Sequence, residues 1–195
     1  MGDLEPGTHV VARAFGGLFA QAVNVPRKSV VPITGNLPFD QAAVLTLSYA
    51  TAWYALTNRA SLQSGETLLV LGAAGGTGYA AVQIGKYLGA HVIASASSED
   101  KRALALAGGA DAAVDSRSES WRGDVEAANS GKPINVVFDP VGGTVTDTAF
   151  RSLAWGGRHL VIGFVGGIAS LRTNLPLLKG ASLVGVDIRQ FEIFE

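Results

Sequence analysis

The chain has 195 residues, 48 % of them hydrophobic, and a formal net charge of −1. This allows one domain of ordinary size with a solid core, and no Lys/Arg run longer than two suggests nucleic-acid binding. With no cysteine and only three scattered histidines, we predict no metal site. No apolar run reaches the roughly 18 residues of a membrane span. Residues 1–5 lack the features of a signal peptide, and we expect a cytoplasmic protein without membrane contact.

Residues 1–36 show short β-prone segments separated by turn signals. Residues 6–12, 16–26 and 30–33 are each predicted to contain a strand of an antiparallel β domain. Two helices are predicted next. The first begins after Asp40, a good N-cap, and the second spans residues 48–60.

Residues 66–78 form the most informative stretch of the chain. The apolar run 68–71 is bounded by glycines and predicts a buried strand of a parallel sheet. Four glycines follow within seven residues, and residues 79–88 then have small and apolar side chains at helical spacing. Strand, glycine turn and helix together are typical of a dinucleotide-binding loop, whose helix N-terminus points N–H groups at a phosphate. Methyltransferases and other α/β folds use similar turns, and Ala73 occupies the first glycine position of the motif.

Strands and helices alternate through the rest of the chain. Further strands are predicted at residues 91–96, 112–115, 134–139, 157–164 and 182–187, and helices at 99–107, 118–129, 144–153 and 175–179. Six strands with crossover helices predict an α/β fold, a doubly wound six-stranded parallel sheet of the Rossmann type with strand order 3-2-1-4-5-6. The ligand should lie at the carboxyl ends of the strands, near the first and fourth.

This order of motifs resembles the medium-chain dehydrogenase/reductase superfamily, and within it the zinc-independent NADPH:quinone oxidoreductases related to ζ-crystallin. The segments that carry the resemblance are residues 50–56, 65–70, 72–78, 138–143 and 156–163. The resemblance implies that residues 1–45 are the remnant of an N-terminal GroES-like catalytic domain. Residues 46–188 would be the NADP-binding domain and 189–195 the start of a return to the catalytic domain. We therefore expect a fragment of a longer protein.

The end of the second predicted Rossmann strand favours NADPH over NAD. An NAD site places a carboxylate there to accept the ribose hydroxyls, but none appears before Glu99. A 2′-phosphate prefers hydroxyl donors and cations. Such groups are supplied by Ser97, Ser98, Lys101 and Arg102. The resemblance implies that Ser97 or Ser98, with Lys101, holds the 2′-phosphate. Alternatively, Ser97 and Asp100 form a capping box and Lys101 is a solvated charge.

The complete set of predicted cofactor-binding residues covers three parts of the cofactor. The glycine turn supplies Ala74, Gly75, Gly76, Thr77 and Gly78. The adenosine side is assigned to Ser97, Ser98, Lys101 and Ser116, although Ser116-Arg117 stands where the family often has Tyr. The nicotinamide side is assigned to Thr51, Val141, Gly142 and Phe164. Core packing is the alternative for Val141 and Phe164, and Trp53 and Tyr54 are predicted to be core residues.

The predicted chemistry is hydride transfer to a quinone or an α,β-unsaturated carbonyl compound. Such acceptors delocalise the incoming charge, so they need neither a zinc ion nor the Tyr-x-x-x-Lys pair, which this sequence lacks. No catalytic residue is predicted. Two alternatives stay open: an enoyl-reductase domain of a fatty-acid or polyketide system, and a non-catalytic NADPH-binding module. A methyltransferase is disfavoured because the acidic residue after the second strand is missing.

The last predicted strand, residues 182–187, should lie at an edge of the open sheet. It is apolar and contains neither proline nor lysine, which often protect edge strands from pairing. We therefore predict a homodimer in which two such edges pair about a two-fold axis. The resemblance implies the same arrangement.

Overall fold

The structure is a computed structural model that describes residues 4–14 and 16–189. The chain divides into two compact units, residues 1–46 and 47–195. Helix α1, Phe39–Tyr54, contains the boundary between them. The residues predicted to return to the catalytic domain, 189–195, lie outside the described part except for Arg189.

The first unit contains one two-stranded antiparallel sheet. Strand β1, Val10–Ala12, pairs with β2, Val30–Pro32, and a short 3₁₀ turn, Arg27–Ser29, precedes β2. The strand predicted within residues 16–26 is wrong, because that segment consists of bends and irregular backbone. Its residues 16–24 are all exposed, so no face is available to bury against a partner strand.

The two helices predicted on either side of residue 46 are one helix. Helix α1 runs unbroken from Phe39 to Tyr54 and continues as a single π-helical turn, Ala55–Arg59. No proline or glycine interrupts residues 39–59, so nothing in the sequence ends the first helix. Asp40 lies in the first turn instead of capping it, where its negative charge still complements the helix dipole.

The second unit is built around a six-stranded parallel sheet. Its strands are β3, Thr67–Leu71; β4, His91–Ala96; β5, Ala112–Asp115; β6, Ile134–Asp139; β7, Leu153–Val161; and β8, Ser182–Gly185. The connecting helices are α2, Gly76–Tyr87; α3, Glu99–Ala107; α4, Trp121–Ala128; α5, Val145–Arg151; and α6, Asn174–Lys179. The strand order is β5-β4-β3-β6-β7-β8, and every pairing is parallel. This confirms the predicted fold class and order.

Strand β3 is the centre of this sheet, and all five of its residues are buried. Leu68 and Val70 pack with residues of α2 on one face, whereas Leu69 and Leu71 pack with residues of α4 and α5 on the other. Truncating a fully buried leucine to alanine costs about 2–5 kcal/mol. The leucines of β3 therefore contribute strongly to the packing of helices on both faces of the sheet.

Strand β7 differs from the prediction, which placed it at residues 157–164. It begins four residues earlier, at Leu153, and ends at Val161. The Ile162 N–H makes the last regular bond of the ladder, to the carbonyl oxygen of Asp139 at 2.9 Å, and the Gly163 N–H then donates to the same oxygen at 3.3 Å, which breaks the regular alternation. The chain is thereby turned out of the ladder. Phe164 consequently lies beyond the strand.

Candidate nucleotide-binding site

The glycine turn after β3 is held by close backbone contacts. Gly72 has φ +58°, and its carbonyl oxygen accepts the N–H of Gly75 at 2.9 Å. A Cβ on Gly78 would lie 2.3 Å from that same oxygen, so only glycine lets the helix pack against the turn at this point. Ala73 donates its N–H to the carbonyl of Ser95, which ties the turn to β4.

The N-terminus of α2 carries backbone donors that the protein leaves available. Gly75 is its N-cap and provides no side-chain cap. The first bond of the helix runs from the Tyr79 N–H to the Gly75 carbonyl at 2.7 Å. The N–H groups of Gly76, Thr77 and Gly78 therefore precede any intrahelical acceptor. Gly75 and Gly76 are exposed, so an anion can approach this positive end of the helix dipole.

The two serines after β4 have different roles in the structure. Ser98, not Ser97, is the N-cap of α3, and its hydroxyl accepts the Lys101 N–H at 3.4 Å. The predicted Ser97–Asp100 capping box is therefore wrong by one residue. Ser97 is half-buried beside the turn.

The two cations on α3 also differ. Lys101 is exposed and forms no ion pair with any residue in the described ranges. Arg102 is 3.0 Å from Asp115 Oδ2 and donates to the Ala96 carbonyl at 3.4 Å. Asp115 has a lowered pKa because it accepts the backbone N–H and the side-chain N–H of Arg117, with the Arg102 charge adding to the effect. The Arg117 guanidinium is thus turned towards Asp115, next to the exposed Ser116.

A cleft of about 1080 Å³ opens at the carboxyl ends of β6, β7 and β8. Three of the predicted residues line it, namely Thr51, Thr77 and Phe164. Sequence reasoning missed several other lining residues: Tyr54, Arg59, Pro140, Val165, Asp187 and Arg189. Tyr54 could have been found from its position three residues after Thr51, because residues at that spacing share one face of a helix.

The remaining predictions for this region have mixed outcomes. Val141 and Gly142 do not line the cleft, and Val141 packs against the core, so their contact with a cofactor stays a prediction. Phe164 is 68 % exposed, which rules out core packing. Trp53 is 46 % exposed, so its prediction as a core residue is wrong, whereas Tyr54 is buried as predicted and also borders the cleft.

A buried carboxylate lies at the carboxyl end of β6, next to the cleft. Asp139, the last residue of β6, is 1 % exposed. Burial by itself would raise its pKa, but hydrogen bonds from His159, from the Gly142 N–H and from Thr146 outweigh burial and lower the pKa. A sequence signal was available, because Asp139 directly follows the apolar residues 136–138 and His159 directly precedes the apolar residues 160–162.

No group of three or more His, Asp or Glu side chains within residues 4–14 and 16–189 is arranged to hold a metal ion. In the same ranges, no helix has the length and apolar character needed to cross a bilayer. The expected cytoplasmic location stays a prediction.

A parallel sheet of this order, with a glycine turn and an uncapped helix at the point where the strand order reverses, defines a Rossmann-type domain. Residues 76–195 match the family described as zinc-binding dehydrogenases, and the chain belongs to that family. Within it, the chain belongs to the quinone oxidoreductase-like proteins of the medium-chain dehydrogenase/reductase superfamily.

Three similar proteins illustrate this relationship. Quinone oxidoreductase-like protein 2 of Rattus norvegicus is 39 % identical over 185 residues, which cover 94 % of this chain and 53 % of that protein. Polyketide synthase GfsB of Streptomyces halstedii is 38 % identical over 99 % of this chain and 3 % of the synthase. The quinone oxidoreductase from Thermus thermophilus, also solved in complex with NADPH, has a TM-score of 0.85 and 29 % identity. That comparison covers 97 % of this chain and 60 % of the Thermus chain. The chain thus spans about half the length of the quinone oxidoreductase-like protein from rat.

Proposed function

We propose that this chain binds NADPH and forms the cofactor-binding part of a zinc-independent reductase of quinones or α,β-unsaturated carbonyl compounds. The observation that carries the proposal is the uncapped, exposed N-terminus of α2, which follows the glycine turn and borders the cleft through Thr77. A pyrophosphate matches the free N–H groups of Gly76, Thr77 and Gly78 in charge and in hydrogen-bonding capacity. The Thermus relative, whose structure was also solved with NADPH, supports the same assignment.

The preference for NADPH rests on the residues at the end of β4. The hydroxyls of Ser97 and Ser98 suit a 2′-phosphate, as does the ammonium of Lys101, which has no ion pair with the described residues. No carboxylate ends β4 to accept ribose hydroxyls. Arg102 and Arg117 both pair with Asp115 at the same edge, so each of these guanidinium groups already has an anionic partner. Lys101 is therefore the cation that we assign to the phosphate.

The residues of the cleft then determine which hydride acceptor can bind next to the nicotinamide end of the cofactor. NADPH supplies a hydride when it is bound. The cleft wall is mostly apolar around Phe164 and Val165, which favours a flat, apolar acceptor. Thr51 and Tyr54 also line the cleft, and we assign their hydroxyl groups to orienting a carbonyl oxygen. We assign residues 46–188 to the cofactor domain and residues 1–45 to the remnant of a catalytic domain.

The cofactor assignment is tested by titrating NADPH and NADH against the wild type, Lys101→Ala and Lys132→Ala. Lys132 is a matched control, because it is an exposed lysine on a different part of the second unit. A charged contact to phosphate contributes roughly 1.5–3 kcal/mol, so Lys101→Ala should lose most of the preference for NADPH while Lys132→Ala retains it. Equal affinity of the wild type for the two cofactors would contradict the proposal.

An enoyl-reductase domain is the second candidate. It is favoured by polyketide synthase GfsB, which is 38 % identical over 99 % of this chain. The full open reading frame distinguishes the two candidates, because a reductase and a multidomain synthase differ in what flanks the cofactor domain. Turnover of a panel of quinones and enoyl thioesters by the full-length protein then separates either enzyme from a non-catalytic NADPH-binding module.

We also propose a homodimer formed by β8. This strand pairs with β7 on one side, and Leu183 is 47 % exposed. Pairing of two such edges would continue the sheet across a two-fold axis. Light scattering at tens of micromolar should give a dimer for the wild type and a monomer for Val184→Lys. A wild-type monomer would exclude this interface.

A further inference from the structure

Two polar side chains face each other inside the apolar part of the second unit. Asp139 ends β6 and His159 lies within β7, and the two are 1 % and 0 % exposed. His159 Nε2 is 2.9 Å from Asp139 Oδ2, and the imidazole stacks on Phe150 with ring centres 5.9 Å apart. His159 Nδ1 has no hydrogen-bond partner among the described residues. A buried N–H without an acceptor is costly, so we place the hydrogen on Nε2, where it is donated to the carboxylate.

The Asp139 carboxylate uses its remaining acceptor capacity on the turn that follows it. Oδ1 accepts the N–H groups of Val141 and Gly142 at 2.9 and 2.8 Å. Oδ2 accepts the Thr146 hydroxyl at 2.7 Å in addition to His159. A carboxylate offers about four acceptor positions, and all of them are occupied here. The side chain thus fixes the backbone of the turn after β6.

Backbone hydrogen bonds join the turn after β6 to the turn after β7. Gly143 donates its N–H to the Gly167 carbonyl at 2.7 Å, and Gly166 donates to the Val141 carbonyl at 2.7 Å. Gly143 has φ +65°, and a Cβ there would lie 2.5 Å from the Gly166 carbonyl oxygen. The two turns therefore form one closely packed unit. This unit supplies Pro140, Gly163, Phe164 and Val165 to the wall of the cleft.

Stability alone does not account for this arrangement. Replacing both partners of a buried hydrogen bond by apolar groups of the same shape can be nearly neutral or stabilising. What an apolar pair cannot do is hold two backbone N–H groups in one orientation. The pair is thus better explained by the conformation that it imposes on residues 140–143 than by the strength of the core.

We propose that Asp139 and His159 are positioning residues that set the conformation of the cleft wall against which the nicotinamide half of the cofactor binds. His159 acts through Asp139, and Asp139 acts through the turn after β6. The inference rests on the proposed NADPH binding and goes beyond it, because neither side chain lines the cleft. The adenosine half of the cofactor, assigned to the residues after β4, should not depend on the pair.

The test compares two ligands and two substitutions of one residue. His159→Leu removes the donor to Asp139, and His159→Gln retains an N–H that can reach it. The ligands are NADPH and adenosine 2′,5′-bisphosphate, which contains the 2′-phosphate but no nicotinamide. We expect His159→Leu to weaken NADPH binding about tenfold, equivalent to about 1.4 kcal/mol, and to leave bisphosphate binding unchanged. His159→Gln should restore most of the NADPH affinity.

Hydrogen exchange without cofactor tests the same pair directly. The Val141 and Gly142 amides should exchange faster in His159→Leu than in the wild type, because their acceptor is less well held. Ile134→Ala is the control, since Ile134 is buried at the opposite end of β6 and its loss weakens the core without touching Asp139. It should leave both ligand affinities and these two amides unchanged. If His159→Leu does not fold, Thr146→Val, which removes one hydroxyl from the same carboxylate, should give a smaller change in the same direction.

Three results would overturn the inference while leaving NADPH binding intact. These are unchanged exchange of the two amides, equal weakening of both ligands, or failure of the glutamine variant to restore affinity. If the wild type bound neither ligand, the proposed function and the positioning role that rests on it would fall together.

Discussion

The turns after β3 and β6 follow neighbouring strands and both depend on glycines with positive φ, yet they use their backbone N–H groups in opposite ways. After β3, the N–H groups at the start of α2 precede any intrahelical acceptor, and Gly75 and Gly76 at this end of the helix are exposed. After β6, the corresponding donors are held by the buried Asp139. The first turn is therefore open to a ligand, and the second is closed on the protein. Two turns of similar composition thus have different roles: the turn after β3 is suited to ligand binding, and the turn after β6 to maintaining the conformation of the cleft wall.

The largest expected effect comes from breaking the closed turn. Asp139→Asn removes the charge and turns an amide N–H towards the buried donors of His159 and Thr146, and we expect the unsatisfied donors to cost about 3 kcal/mol of unfolding free energy at pH 7. The folded pKa of Asp139 lies below its unfolded value of about 3.9, so its stabilising contribution is present above that pH and is lost as the pH falls through the folded pKa. Urea unfolding should show that the difference between wild type and variant shrinks in acid. A difference that stays constant with pH would contradict the role of the carboxylate.

The open turn should respond to substitution through binding instead of stability. Gly75→Val introduces a Cβ 3.3 Å from the Gly72 carbonyl oxygen, which the turn can accommodate with a small shift. Its branched side chain would fill the space assigned to the pyrophosphate. We expect at least about a hundredfold loss of NADPH affinity, equivalent to about 2.8 kcal/mol, in a folded protein. Undiminished binding in calorimetry would show that the turn does not hold the cofactor.

Gly78 lies at the end of the open turn, but its role is to let α2 pack closely against that turn. Gly78→Ala would place a Cβ 2.3 Å from the Gly72 carbonyl oxygen and should cost about 1–3 kcal/mol. Gly123→Ala in α4 makes the same chemical change where a Cβ meets nothing within 4 Å, and it should stabilise by about 0.4–1 kcal/mol. Urea unfolding of the two variants measures both values. Equal effects at the two sites would refute the close approach.

The smallest effect is expected at the opposite end of the sheet. Glu66 precedes β3 and accepts two hydrogen bonds from Arg158, at 2.8 and 2.6 Å. The Arg158 hydrogen bond lowers the pKa of Glu66 against the opposing effect of burial. Glu66→Gln should cost about 1 kcal/mol above pH 5 and less as the pH falls through the folded pKa. NADPH affinity should not change, and a change would mean that the two ends of the sheet are coupled.

Most of the fold could be predicted because the strands are short apolar runs between glycines and polar turns. Strands β4, β5 and β6 and helix α3 begin and end at the predicted residues. The end of β7 could not be predicted, because it depends on the N–H groups of Ile162 and Gly163 bonding to Asp139, more than twenty residues away. The prediction of a strand in residues 16–26 was wrong, because the pattern of apolar and turn residues does not show whether a segment has a neighbouring strand to pair with.

The candidate site was predictable where it depends on local sequence and not where it depends on tertiary contacts. The glycine turn and the start of α2 follow from neighbouring residues. Arg102 pairs with Asp115, and Asp139 pairs with His159, across different elements, and local sequence does not show which polar residues will meet. Thr51 and Phe164 were predicted to lie near the nicotinamide, and the structure brings both to the same cleft.

The unequal roles of the two serines after β4 determine how cofactor preference could change during evolution or engineering. Ser98 caps α3, so losing a capping side chain there would cost the helix about 1 kcal/mol, and an Asp that kept the cap would have its carboxylate bonded to α3 and not to the ligand. Ser97 carries no such structural duty in the described structure. A single acidic replacement at Ser97 would place a carboxylate at the end of β4 while keeping the cap. Position 97 is therefore the least costly point at which this scaffold could drift from NADPH towards NADH.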